Sequence, residues 1–267
     1  MLGKRRQRGG LRAIVFGLAM LMLMLAGGNA HARGEADAIR GRARPYESPQ
    51  RFALELRFTP YRPGVDSDPN LHGATPYAST FGKNRPLMLS VEFDWQALRI
   101  PYVGTFGPGV SAGIWSKSAK ASIAQAPGGP SGDETTLAVY PMSLLAVIRF
   151  DVFNRMWKIP LVPYGKFGVG YALWRASSPD GTARATNDAG KVIAGAGHTV
   201  GFEYMAGLAF DLNCLDPQSA LQLDNNLGVN HTYIFGEFTG LNLNGIAQKN
   251  PLRLGANTWT VGLAFEF

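Results

Sequence analysis

Few residues of this 267-residue chain have types and spacing suited to chemistry. The four histidines are His31, His72, His198 and His231. A hydroxyl nucleophile needs an imidazole base and a carboxylate to orient it. The one grouping of that kind is His198 with Thr199 or Ser177, and Glu203 further along. Neighbourhood in sequence is not geometry, and no serine stands at a strand-fixed position beside His72 or His198. No catalytic residue is therefore assigned. Asp66, Asp68 and Asn70 alternate like part of a calcium loop, but the Gly and terminal Glu such a loop requires are missing. That stretch reads as a solvated loop, and no metal or cofactor site is assigned. Cys214 is the single cysteine, which excludes an intrachain disulfide and a cysteine-pair metal site.

A second set of charges emerges from side-chain parity. Glu55, Glu92, Asp94, Asp151, Glu203, Asp211, Glu237 and Glu266, with Arg57, Arg149 and Lys166, fall opposite the bulky apolar residues of period-2 segments. If those segments close into a barrel, these charges line its lumen. A narrow barrel would lock them into an internal salt-bridge network. A wider one would make the acid excess a cation-favouring path. Eight acids cannot all pair with three bases, so some carboxylates must be uncharged or water-bridged.

The elements that must position these charges are eight candidate strands, at roughly 51–59, 86–96, 102–115, 135–150, 161–175, 198–212, 230–240 and 257–267. The last is the clearest: Trp259, Val261, Leu263, Phe265 and Phe267 alternate with Thr258, Thr260, Gly262, Ala264 and Glu266. In the strand at 230–240, Tyr233 and Phe235 oppose Ile234 and Phe238, which leaves its facing open. Leu215 to Leu227 reads as a short helix, with Asp216 as cap and Pro217 at its first position.

Alternation alone fits a membrane barrel, a soluble lipocalin-like barrel or a sandwich. The second face decides between them. It is Gly, Ala, Ser and Glu rather than the Lys, Thr, Arg and Gln of a solvated surface. Small side chains suit the concave interior of a narrow barrel, and bulky apolar ones suit a lipid-facing exterior. On that reading lipid-facing Leu208 cannot become arginine cheaply, while lumen-facing Gly207 tolerates a methyl group wherever the space is open. Connections after strands 1, 3, 5 and 7 run to about 26, 19, 22 and 16 residues, against about 5, 10 and 17 for the others. This places the long loops Pro60–Arg85, Gln125–Glu134, Ser177–Gly197 and Leu241–Gly255 outside the cell and both termini in the periplasm. All five tryptophans (Trp95, Trp115, Trp157, Trp174, Trp259) lie near strand ends, as interfacial girdles require, although strict parity turns Trp115 and Trp174 inward.

Residues 1–32 read as a cleaved signal peptide: Lys4, Arg5, Arg6, Arg8 and Arg12, then the apolar run Ala13 to Ala26, then Ala30-His31-Ala32. The run is too short to span a bilayer. Residues 33–50 read as a flexible periplasmic tail and 51–267 as the barrel. The first 32 residues hold 5 of the 26 Lys+Arg and none of the 19 Asp+Glu, so the formal charge of +7 falls to +2 in the mature chain. Nucleic-acid binding loses its electrostatic support.

The alternating strands and the Phe265/Phe267 ending resemble the small eight-stranded outer-membrane barrels of the OmpX and OmpW type. The resemblance implies that this ending is part of the signal read by the barrel-assembly machinery. Phe202 to Phe210, Leu215-Asp216-Pro217 and Gly228 to Tyr233 resemble an uncharacterised myxobacterial outer-membrane barrel family. The implied protein is a monomer in outer-membrane lipid and lipopolysaccharide, with a structural or loop-binding role. OmpW-type passage of small solutes is the alternative, and a lipid A-modifying enzyme the next.

Overall fold

The computed structural model describes residues 51–122, 130–186, 190 and 192–267. The signal peptide, the 33–50 tail and parts of the loops at Gln125–Glu134 and Ser177–Gly197 lie outside the described residues. Eight long strands dominate: β1 Phe52–Pro60, β2 Leu87–Trp95, β3 Gly104–Ser122, β4 Pro130–Arg149, β5 Leu161–Ser178, β6 Ala196–Asp211, β7 His231–Asn242 and β8 Ala256–Glu266. Each pairs antiparallel with its neighbours in sequence, and β1 pairs with β8, so the sheet closes on itself as an up-and-down barrel. Closure leaves the barrel wall without a free edge. Two short strands, Leu98–Ile100 and Gly181–Thr182, attach to β3 and β5.

Parity sets what faces where. On β1, Ala53, Glu55, Arg57 and Thr59 are buried, while Leu56 and Phe58 are exposed. The pattern repeats around the wall, so Leu144, Phe167, Leu208 and Val261, each 50–61% exposed, face outward. β7 resolves the ambiguous strand: Tyr233 and Phe235 point inward with Glu237 and Thr239, and Ile234 is exposed. A Cβ at Gly207 would stand 2.6 Å from Glu237 Cβ and 2.7 Å from Tyr164 Oη. The lumen is already full there, so a methyl group is not accommodated.

The base of the barrel, where β1 starts and β8 finishes, carries the β2–β3, β4–β5 and β6–β7 links. There α1 (Val152–Trp157) follows β4, and α2 (Pro217–Leu227) follows β6. In α2, Asp216 accepts from the backbone N–H of Gln218 and Ser219, Pro217 opens the helix and Gly228 ends it in the left-handed conformation at φ 69°. The Ser219 hydroxyl also donates to Asp216, and these hydrogen bonds hold its carboxyl below the usual range.

Three expectations need correction. Strands β3 and β4 extend well past 115 and 135, out to the pairing of Ser122 with Pro130. Their outer halves lack an apolar face, which hid them from periodicity. Cross-strand pairing carries them instead, with Lys120 opposite Glu134 and the Ser118 and Thr136 hydroxyls 2.7 Å apart. Trp115 is 3% exposed and Trp174 packs inward, so only Trp95, Trp157 and Trp259 can join a girdle. Asp151 is not a lumen residue. It sits in the β4–β5 turn and pairs with Arg99 at 2.7 Å.

Candidate functional site

The lumen is filled by two different materials. Towards the base lies an ionic cluster. Arg149 reaches Glu55 at 2.5 Å, Asp94 at 2.7 Å and Glu266 at 3.9 Å. Lys166 reaches Glu55 at 2.6 Å, Glu92 at 2.5 Å and Glu237 at 3.9 Å. Arg57 bridges Glu92, at 2.7 Å, and Glu237. Each of these side chains is nine-tenths or more buried. Neighbouring strands make the cluster possible: Glu55 lies directly opposite Glu92 in the β1–β2 ladder, and inward parity brings Arg149 and Lys166 across from β4 and β5. Neutral groups complete it. Tyr164 donates to Glu237 at 3.0 Å, Tyr233 to Glu266 at 3.0 Å and Gln96 to Glu266 at 2.8 Å. Ser143 donates to Glu203. Lys166 also stands 5.0 Å from the centre of the Tyr164 ring, a cation–π contact.

Towards the mouth the filling is apolar. Tyr61, Tyr77, Met88, Trp115, Leu137, Val139, Ala172, Leu241, Leu243 and Leu254 form one buried cluster. Two of its sources are connections rather than strands. A short helix, Pro76–Phe81, brings Tyr77 and Phe81 in from the β1–β2 link. Its first N–H groups, at Tyr77 and Ala78, donate to Asp66 at 2.8 and 3.1 Å, and Arg62 pairs with the same carboxylate at 2.7 Å. The Asp68 side chain caps the next turn through Asn70 N–H. The alternation of Asp66, Asp68 and Asn70 is thus spent on fixing the loop. Burial pushes the Tyr77 phenol up to about 12. The β7–β8 link supplies Leu243 and Leu254, tied down where Tyr61 donates to the Leu254 carbonyl at 2.6 Å and Thr199 to the Leu252 carbonyl at 2.9 Å.

Between the two fillings, Arg57, Thr59, Ser90, Ser111, Glu203 and Thr239 line a cavity of about 10 Å³, room for about one water.

The grouping around His198 is not assembled. His198 is exposed on the outer wall and stacks on Tyr171, with ring centres 5.6 Å apart. Thr199 and Glu203 point into the lumen, and Ser177 pairs with Thr182 beyond it. His198 and Glu203 stand five positions apart on one strand, an odd offset that puts them on opposite faces. His72 is exposed in the β1–β2 link. His231 lies at the base, with Nδ1 2.9 Å from Asp211, whose carboxylate also accepts from Asn154 at 2.7 Å. Parity reasoning missed Ser143, Tyr164 and Tyr233 as members of the cluster. Ser143 follows inward-facing Val139 and Pro141 on a strand apolar on both faces, so nothing in the pattern singles it out.

No protein-family model matches the sequence. No curated protein matches it either. Among solved structures, the chain is similar to Ail, the attachment invasion locus protein of Yersinia pestis, in complex with the heparin analogue sucrose octasulfate. They share 13% identity over 82% of this chain and 97% of that one, with a TM-score of 0.41. It is similar to Neisserial surface protein A at 12% identity, over 82% and 97%, with a TM-score of 0.40. The N-terminal β-barrel domain of Pseudomonas aeruginosa OprF gives 11% identity, over 82% and 100%, with a TM-score of 0.38. Likeness at this level carries no ligand or role across.

Proposed function

We propose that this protein is an outer-membrane barrel that stabilises the envelope and presents rigid surface elements to outside ligands. The observation that carries the reading is the inversion of its faces. Large apolar side chains cover the outside of a closed wall, and the ionic groups are sealed inside it. A soluble barrel has the opposite arrangement, because water pulls charge outward and drives apolar surface in. Trp95 at the base and Trp259 nearer the mouth are exposed on the wall, and Trp157 is exposed on α1 at the base, which suits the two interfaces of a bilayer. In this reading the base faces the periplasm and the mouth faces outward.

A filled lumen supports a structural role over passage of solutes. The β3–β4 hairpin beyond Trp115, whose Lys117 donates to the Asn84 carbonyl and stands over the Tyr77 ring, is the surface offered to a ligand in this reading. The assembly role of Phe265 and Phe267, contact with lipopolysaccharide and the monomeric state belong to the same proposal. Single-channel recording on the refolded protein, with heat-modifiable gel mobility as the fold control, tests it. The expected result is a detergent-dependent, heat-modifiable monomer without steady conductance. A stable open channel would replace the structural role with passage, and a protein soluble and folded without detergent would remove the membrane reading altogether.

A further inference from the structure

The buried lumen holds six carboxylates, Glu55, Glu92, Asp94, Glu203, Glu237 and Glu266, against three bases, Arg57, Arg149 and Lys166. Five of the acids have an ion-pair partner. Glu203 has none among the described residues, although it is only 5% exposed. Its direct polar contact is the Ser143 hydroxyl. The charged side chains facing it are Arg57 from β1, Lys166 from β5 and Glu237 from β7, with Glu92 of β2 beyond Arg57. At that height β3, β4 and β8 present Ser111, Ser143 and Thr260. Both cations are already committed. Arg57 bridges Glu92 and Glu237, and Lys166 bridges Glu55, Glu92 and Glu237.

We infer that Glu203 carries a proton in the folded barrel, and that the cavity beside it makes this a proton-holding site inside the lumen. An ionised carboxylate there would be buried without a counter-charge, while an un-ionised carboxyl needs only a hydrogen bond. Serine fits both ends of that bond, since its hydroxyl can accept from the acid O–H or donate to its oxygen. The adjoining cavity, lined by Ser90, Ser111, Thr59 and Thr239, can take one water to relay the proton. The inference concerns the lumen chemistry and stands whether or not the surface elements bind a ligand.

The sign of the pH effect follows. A carboxyl protonated in the fold and ionised in the unfolded chain binds the extra proton only when folded, so stability falls as pH rises above the ordinary glutamate range. The test compares refolded wild-type protein with Glu203→Gln and Ser143→Ala. Infrared spectra at neutral pH should show an un-ionised carboxyl band in wild type that is lost in Glu203→Gln and shifted, but retained, in Ser143→Ala. The unfolding constant of wild type should rise by up to tenfold per pH unit more steeply than that of Glu203→Gln. An unchanged band and slope in Glu203→Gln would overturn the assignment. If that variant does not refold, carboxyl-carbon NMR of wild-type protein labelled at glutamate decides, and ionised resonances from all five buried glutamates (Glu55, Glu92, Glu203, Glu237 and Glu266) would equally overturn it.

Discussion

At the mouth of this barrel Tyr61, Trp115, Val139 and Leu243 fill the lumen with apolar volume, while at its base Arg57, Arg149 and Lys166 thread among six carboxylates. The same wall and the same strand parity produce both. The difference lies in where the filling comes from. The base is packed by strand residues whose partners are set by register, so every ion pair is fixed once the barrel closes. The mouth borrows Tyr77, Leu243 and Leu254 from connecting segments that fold back over it. Apolar packing tolerates small misfits, because it is non-directional. A buried ion cluster does not, because removing one member strands its partners.

The comparison is broken most severely at the base. Lys166→Ala leaves Glu55 and Glu92 with one base each and should cost about 3–5 kcal/mol, read by urea unfolding in vesicles. Leu243→Ala at the mouth should cost about 2–4 kcal/mol, towards the low end if the β7–β8 link settles into the gap. A mouth penalty above the base penalty would reverse the contrast. On the outer wall, Leu208→Arg should cost about 2–4 kcal/mol if Leu208 lies near the bilayer midplane. Gly207→Ala should be clearly destabilising as well, because Glu237 Cβ and Tyr164 Oη occupy its space. A neutral result would show that the lumen can breathe at that level.

Smaller effects sharpen the contrast. The Tyr77 phenol, pushed up to about 12 by burial, ionises after the phenol of the unfolded chain. Its contribution to stability is therefore complete below the ordinary tyrosine range and is lost as pH climbs from there to about 12. Ultraviolet titration of wild type against Tyr77→Phe checks this, and a phenol titrating at the ordinary value would mean the loop does not cover the mouth. The smallest expected effect is none at all. His198→Ala and His72→Ala should leave the lipid A acylation pattern of the host unchanged, since His198 and Glu203 face opposite sides of the wall. Mass spectrometry of lipid A decides it, and a changed pattern in His198→Ala and in a knockout would make the protein an enzyme.

Much of the wall was legible from single residues. Alternation is a local property: Trp259, Val261 and Leu263 fall on one face of β8 whatever else the chain does. That parity, together with the small residues opposite, was enough to give eight strands, a closed barrel and the sorting of bulky from charged side chains. Asp216 and Pro217 likewise announced α2, because capping needs only its nearest neighbours. The tertiary structure decided everything that depends on register across strands or on chain folding back. Which base meets which acid, the isolation of Glu203 beside Ser143, the inward turn of Trp115 and the extension of β3 and β4 all follow from pairing between distant residues. The plug is the plainest case. Pro60–Arg85 and Leu241–Gly255 read as polar turn-rich loops, and Tyr77, Leu243 and Leu254 become core only because a closed wall offers them an apolar mouth to fill.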